Sequence, residues 1–237
     1  MFAKKCLPFG FKKAHSIQMS DFLQPISLES LLRNKDFITI GEQILFFDKE
    51  TGQYVITQIS SDKRFTADDY AKLPYRAPYQ LIEGELVFMA SPYLNHQIIS
   101  SKLVTLLNIY ILKEKLGTLC HAPMDVHLDE ENIYQPDILF VSIKRSSILS
   151  KFIFGAPDFV LEIISKSTEN KDRNEKMRNY GKFGVDEYWI VNLKKENIEV
   201  YHNQIGIMIH QKTAEKGDSI TSRAIKGFTL NVGDVFA

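Results

Sequence analysis

The hexapeptide Phe159-Val160-Leu161-Glu162-Ile163-Ile164 sets one acid inside an otherwise unbroken apolar run, opened by Gly155-Ala156-Pro157-Asp158. A short run of this kind, bounded by turn residues, reads as a strand buried on both faces, as in a sheet covered by helices. Alternation puts Glu162 on the side of Val160 and Ile164. Burying an unpaired charge there is costly, so Glu162 needs a cation, a strong hydrogen-bond set or a raised pKa. A second strand of the same character, Asp137-Ile138-Leu139-Phe140-Val141, follows Pro136 and also opens on an acid.

Helices on either side of these strands complete the pattern. From Asn95 to Leu116, Ile99, Leu103, Leu106, Leu107, Tyr110 and Ile111 recur at helical spacing, with Gly117 as the stop. A second helix is expected from about Asn170 to Phe183, ended by Gly184 and followed by the strand Glu187-Tyr188-Trp189-Ile190-Val191. Tyr79 to Ala90, broken at Glu83-Gly84, reads as a tight hairpin, and Thr118 to Leu128 as a strand with an irregularity at Ala122-Pro123. Nearer the start, Ser27 to Leu32 reads as a short helix, and Gln43 to Phe47 with Tyr54 to Thr57 as a small hairpin across Asp48-Lys49-Glu50-Thr51-Gly52. The expected division is a leader over 1–22, disordered or vector-derived with Met19 as an alternative start, a helix-plus-hairpin extension over 23–64, and an α/β domain over 65–237.

Composition narrows the partners. Of 237 residues, 29 are basic and 29 acidic, so affinity for a polyanion must come from a local patch. The stretch Lys166 to Lys182 offers six cations against Glu169, Asp172 and Glu175, either a phosphate-tracking face or a solvated helix exterior. Cys6 and Cys120 are too few for a disulfide framework or a zinc site, which suits a reducing compartment and a cytoplasmic location. No stretch reaches the roughly 18–20 apolar residues of a spanning helix, and Met1 to Ser16 has no apolar core of a secretory signal, so no membrane association is expected.

The chemistry concentrates on a few side chains. Lys176 lies on or beside the stripe Arg173, Met177, Tyr180 and Phe183, which lets its amine lean toward Glu162 unless it is a solvated helix lysine. His96 shares a stripe with Ile99, Ser100 and Leu103, as a site residue or a hydrogen-bonded core histidine. Asp137, Glu162, Lys176 and His96 would then converge beneath these two helices. Two carboxylates from adjacent strands form a hard-ligand site suited to Mg²⁺ or Mn²⁺, and a neighbouring amine suits phosphodiester hydrolysis.

Six ordered blocks support a resemblance: Tyr79 to Leu86, Ser91-Pro92 with His96-Gln97, Ala122 to Val126, Gln135 to Val141, Gly155 to Ser165, and Gly184 to Val191. Together they resemble the Uma-type restriction endonucleases of the PD-(D/E)XK nuclease superfamily, from about Phe65 to the C-terminus. The resemblance implies a restriction-endonuclease-like mixed central sheet flanked by helices, with Asp137 and Glu162 as metal ligands for Mg²⁺ or Mn²⁺ and as catalytic residues. The superfamily lysine would stand at Ile164; in its place the resemblance assigns Lys176 from the following helix. Gln80 stands where relatives carry Glu, and Lys166 where they carry Pro, which leaves Glu83 and Glu85 as candidates for an additional acidic ligand or as ordinary turn acids. The implied activity is a divalent-metal-dependent endonuclease acting on nucleic acid, DNA more than RNA, with a homodimer expected. The alternative is a catalytically silent nucleic-acid-binding or regulatory protein on the same scaffold.

Overall fold

The computed structural model describes residues 37–40, 43–48, 53–57, 64–73, 77–165 and 168–236. The chain divides into two units, Met1–Ser60 and Ser61–Ala237. In the first, β1 (Phe37–Ile40), β2 (Gln43–Asp48) and β3 (Gln53–Thr57) form an antiparallel sheet in that order, with Leu45 opposite both Ile38 and Ile56. The expected hairpin is present and gains β1 as a third strand. The expected leader and the helix over Ser27 to Leu32 lie outside the described residues.

The second unit is a mixed α/β fold. It opens with a turn of helix, α1 (Ala67–Tyr70), capped by Thr66, whose side chain accepts from the Asp69 amide while Asp69 reaches back to the Thr66 amide. A hairpin follows, β4 (Tyr79–Ile82) and β5 (Glu85–Phe88), and then the long helix α2 (Leu94–Glu114). The hairpin turn needs φ > 0 at both central positions, and Glu83 (φ 50°) with Gly84 (φ 76°) supplies it.

Next come β6 (Gly117–His121), β7 (Val126–Asp129), β8 (Asn132–Tyr134), β9 (Ile138–Ser142), a 3₁₀ turn over Ile143–Ile148, β10 (Ile153–Phe154) and β11 (Phe159–Ile164). The segment read as one strand from Thr118 to Leu128 is two. The cis Ala122-Pro123 bond separates β6 and β7, which belong to different sheets. Helix α3 runs through Glu169–Lys171, a π turn at Asp172–Lys176 and Met177–Phe183. Gly184 ends it at φ 91°, in the left-handed conformation expected of a helix C-cap. The chain finishes with β12 (Glu187–Asn192), β13 (Asn197–Gln204), β14 (Ile207–Ala214), β15 (Ser219–Thr221), β16 (Thr229–Asn231) and α4 (Val232–Phe236).

The central sheet has the order β14-β13-β12-β11-β9-β6, with β11 and β12 parallel and the other pairs antiparallel. A second sheet, β10-β7-β8-β4-β5, and the two-stranded β15-β16 complete the unit. The near-continuous apolar runs predict burial of the central sheet on both faces, and both are covered. On one face Phe159, Leu161, Ile163 and Trp189 pack against Ile99, Leu103, Leu107 and Ile111 of α2 and against Ile220 to Val235. On the other, Val160, Ile164, Tyr188 and Ile190 pack against Tyr180 of α3 and against Ile82, Val126 and Tyr134 of the second sheet. The helices α2 and α3 therefore cover opposite faces, not a common one.

Candidate active site

The register of β9 against β11 sets Phe140 opposite Phe159, Leu139 opposite Val160 and Ile138 opposite Leu161. One step further, Asp137 falls opposite Glu162, and directly opposed residues of an antiparallel pair point to the same face. That face is the one covered by α3, where sequence alternation placed Glu162. Asp137 stands at the rim of the sheet, its side chain 19% exposed, and Glu162 lies inside at 3%. The amide of Ile163 donates to Asp137 Oδ2 at 2.7 Å, fixing the aspartate against the strand that carries Glu162.

Lys176 compensates the buried glutamate. Its Nζ lies 2.9 Å from Glu162 Oε1 and 3.1 Å from Asp172 Oδ1, and all three side chains are buried. Tyr180, one helical turn on, donates to Glu162 Oε1 at 2.8 Å. Both hydrogen bonds to Glu162 land on Oε1, and Asp137 receives Ile163 and His96 on Oδ2. Tyr188 of β12 donates to the carbonyl oxygen of Asp172 at 3.1 Å and so props the π turn that carries the lysine.

His96 enters from the opposite layer. It sits in the first turn of α2, at the end of the sheet, and its Nε2 reaches Asp137 Oδ2 at 3.3 Å. The four sequence candidates thus meet around the rim of the sheet, approached from helices on opposite faces. Nδ1 of His96 is buried without a protein partner.

The two turn acids stay outside this cluster. Glu83 pairs with Arg178 and accepts from Asn179 at 3.0 Å, and Asn179 in turn donates to Tyr134 Oη at 2.8 Å. Glu85 is exposed at the start of β5. A cavity of about 400 Å³ beside Glu83 sets Arg64, Arg178 and Lys182 against Glu83, Asp129 and Glu131. Three cations against three acids give it no preference for a polyanion. The phosphate-tracking reading of α3 loses three of its charges as well: Lys176 is buried, Arg178 is paired, and Arg173 binds Glu199 through two 2.7 Å hydrogen bonds.

The electrostatics follow from burial and neighbours. Burial pushes the Glu162 carboxyl up, against the pull of Lys176. Burial draws the Lys176 amine down, but Asp172 and Glu162 outweigh it and hold the ammonium well above the usual lysine range. His96 behaves alike: burial lowers it, the hydrogen bond and charge of Asp137 with the charge of Glu162 raise it, and the balance is upward. For Glu83 the Arg178 hydrogen bond prevails over burial and lowers the carboxyl.

Among the described residues no group of three or more His, Cys, Asp or Glu side chains has the geometry of a complete metal site. The donor set nonetheless fits a hard divalent ion. Asp137 and Glu162 present hard carboxylate oxygens from adjacent strands, with Asp172 behind Lys176 and Nε2 of His96 3.3 Å from Asp137. Asp137 and Glu162 would hold the ion. Asp172, Tyr180 and Tyr188 are the members of the site that sequence reading missed. For Asp172 and Tyr180 the signal available was their spacing with Lys176 at every fourth residue; Tyr188 reads only as part of an apolar strand.

Among solved structures, one described as that of "a putative nuclease belonging to DUF820 from Anabaena variabilis ATCC 29413" superposes with a TM-score of 0.63 at 20% identity, covering 73% of this chain and 97% of the other. At that identity the likeness shows the fold. No curated protein matches the chain. A family model, Uma2, described as "Putative restriction endonuclease", matches residues 67–233. That span takes in His96, Asp137, Glu162 and Lys176, and the chain belongs to the Uma2 family.

Proposed function

We propose that this protein is a divalent-metal-dependent endonuclease that hydrolyses phosphodiester bonds in nucleic acid, with DNA as its substrate. The observation that carries the reading is the meeting of Asp137, Glu162 and Lys176 on neighbouring inner strands and the helix over them, with His96 against the aspartate. Buried charges of this kind contribute little to stability and are common where chemistry is done.

When bound between Asp137 and Glu162, Mg²⁺ or Mn²⁺ supplies Lewis-acid polarisation of a phosphate oxygen and acidifies a water. The protein's own groups do the rest. Asp137 is held at the rim by the Ile163 amide through Oδ2. Lys176 keeps its proton and acts as a charged donor to the phosphate, not as a base. Tyr180 and Lys176 orient Glu162 by donating to the same oxygen, Oε1.

The test is incubation with supercoiled and linear DNA, single-stranded DNA and RNA, in Mg²⁺, Mn²⁺ or chelator. DNA cleavage is expected with either ion and none with chelator. Asp137→Ala and Glu162→Ala are each expected to slow it by about 10²-fold or more, the scale on which loss of one group that stabilises transition-state charge is felt. Cleavage that survives both substitutions belongs to another site and refutes the assignment.

A further inference from the structure

Building on the nuclease reading, we propose that Asp172 is a positioning residue for the reaction, whose carboxylate holds the Lys176 ammonium at the site while Glu162 engages the ion. An acid four residues before a lysine on a helix is ordinarily an exposed pair of small energetic weight. This pair is buried: Asp172 is 2% exposed and Lys176 5%. Such a pair offers stability little over apolar packing, so its presence at the edge of a reaction site calls for a role.

Geometry supplies the role. Lys176 Nζ is shared between Glu162 Oε1 at 2.9 Å and Asp172 Oδ1 at 3.1 Å. A ligand carboxylate gives up electron density to its ion and becomes a weaker acceptor. Asp172 lies on α3, away from the strands that carry the ligands, and keeps its hold on the amine. The π turn places Asp172 and Lys176 inward together, and Tyr188 fixes the turn through the Asp172 carbonyl. Arg173, between them in sequence, points away to Glu199 on β13.

Full-length protein, Asp172→Asn, Lys176→Met and the double variant are compared in single-turnover cleavage of supercoiled DNA with Mn²⁺, each with a thermal melt. Asp172→Asn is expected to slow cleavage about 10–100-fold, the usual cost of losing a group that orients an active-site residue. Mn²⁺ binding, read by electron paramagnetic resonance, is expected to change far less. In the Lys176→Met background the Asp172 substitution should add no further loss, because it acts only through the amine. Equal losses in both backgrounds overturn the proposal.

A readout independent of cleavage is the ¹⁵N-resolved ammonium resonance of Lys176 in metal-free wild-type protein, assigned by its absence from Lys176→Met. A clasped ammonium exchanges slowly enough to be seen near neutral pH, and the signal should vanish in Asp172→Asn. A wild-type protein without this resonance, or an Asp172→Asn variant that retains it unchanged, contradicts the assignment. Should no nucleic acid be cut, the nuclease reading fails while the resonance still decides whether Asp172 holds the lysine.

Discussion

Around Lys176 two buried acids share one amine, with Asp137 and His96 close by, and the proton affinities of the cluster reflect that crowding. In the metal-free protein His96 and Glu162 both bind protons more tightly folded than unfolded. The contribution of His96 is complete below its unfolded value of 6.5 and is lost as pH rises through the higher folded one. Glu162 acts in the same direction, whereas the lowered carboxyls of Glu83 and Glu199 contribute a constant amount above their unfolded value of 4.5. Through Glu162 the loss begins above its unfolded value of 4.5, and His96 joins it above 6.5. Thermal melts of metal-free protein should therefore show stability falling most steeply above about pH 6.5, by at most about 1.4 kcal/mol per pH unit for each group that stays protonated only in the folded state. His96→Gln should flatten that slope; a stability that climbs through the same window would contradict these proton affinities. At this scale Asp137 and Glu162 are legible in sequence because one opens and the other interrupts an apolar strand, where an acid demands a reason. Asp172 is not, because an acid four residues before a lysine looks like any surface pair.

Helix α3 sets the position of the amine, and its seat is tight. A Cβ added at Gly181 would come within 2.7 Å of the Gly206 carbonyl in the turn between β13 and β14. Gly181→Ala must therefore push the helix from that turn, at a cost of about 1–3 kcal/mol. Cleavage should fall with it, since Lys176 and Tyr180 ride on the same helix. Unchanged melting and rate would show that the seat is soft. The extents of α2 and α3 follow from apolar spacing and glycine stops, to within two residues. The π turn does not, because one extra residue in a turn leaves the mixed polar and apolar pattern of Lys171 to Tyr180 readable as plain α-helix. β8 escapes notice because Asn132–Tyr134 is too short to show alternation.

Across the whole molecule, the α/β class and the doubly covered sheet are written in the runs at 137–141 and 158–164. Strand order is not, because it depends on pairings between distant segments, such as β11 with β12 across the whole of α3. The placement of α2 and α3 on opposite faces is hidden for the same reason, and with it the way His96 reaches Asp137 around the end of the sheet. With charge balanced at 29 basic and 29 acidic residues, the molecule offers no general attraction for nucleic acid, so the account rests on the local site. The most direct measurement is anomalous diffraction from crystals soaked in Mn²⁺. The account predicts an anomalous peak in contact with the carboxylates of both Asp137 and Glu162, with Lys176 still held by Asp172. A fully soaked crystal with no peak there, or with manganese bound only elsewhere, would contradict it.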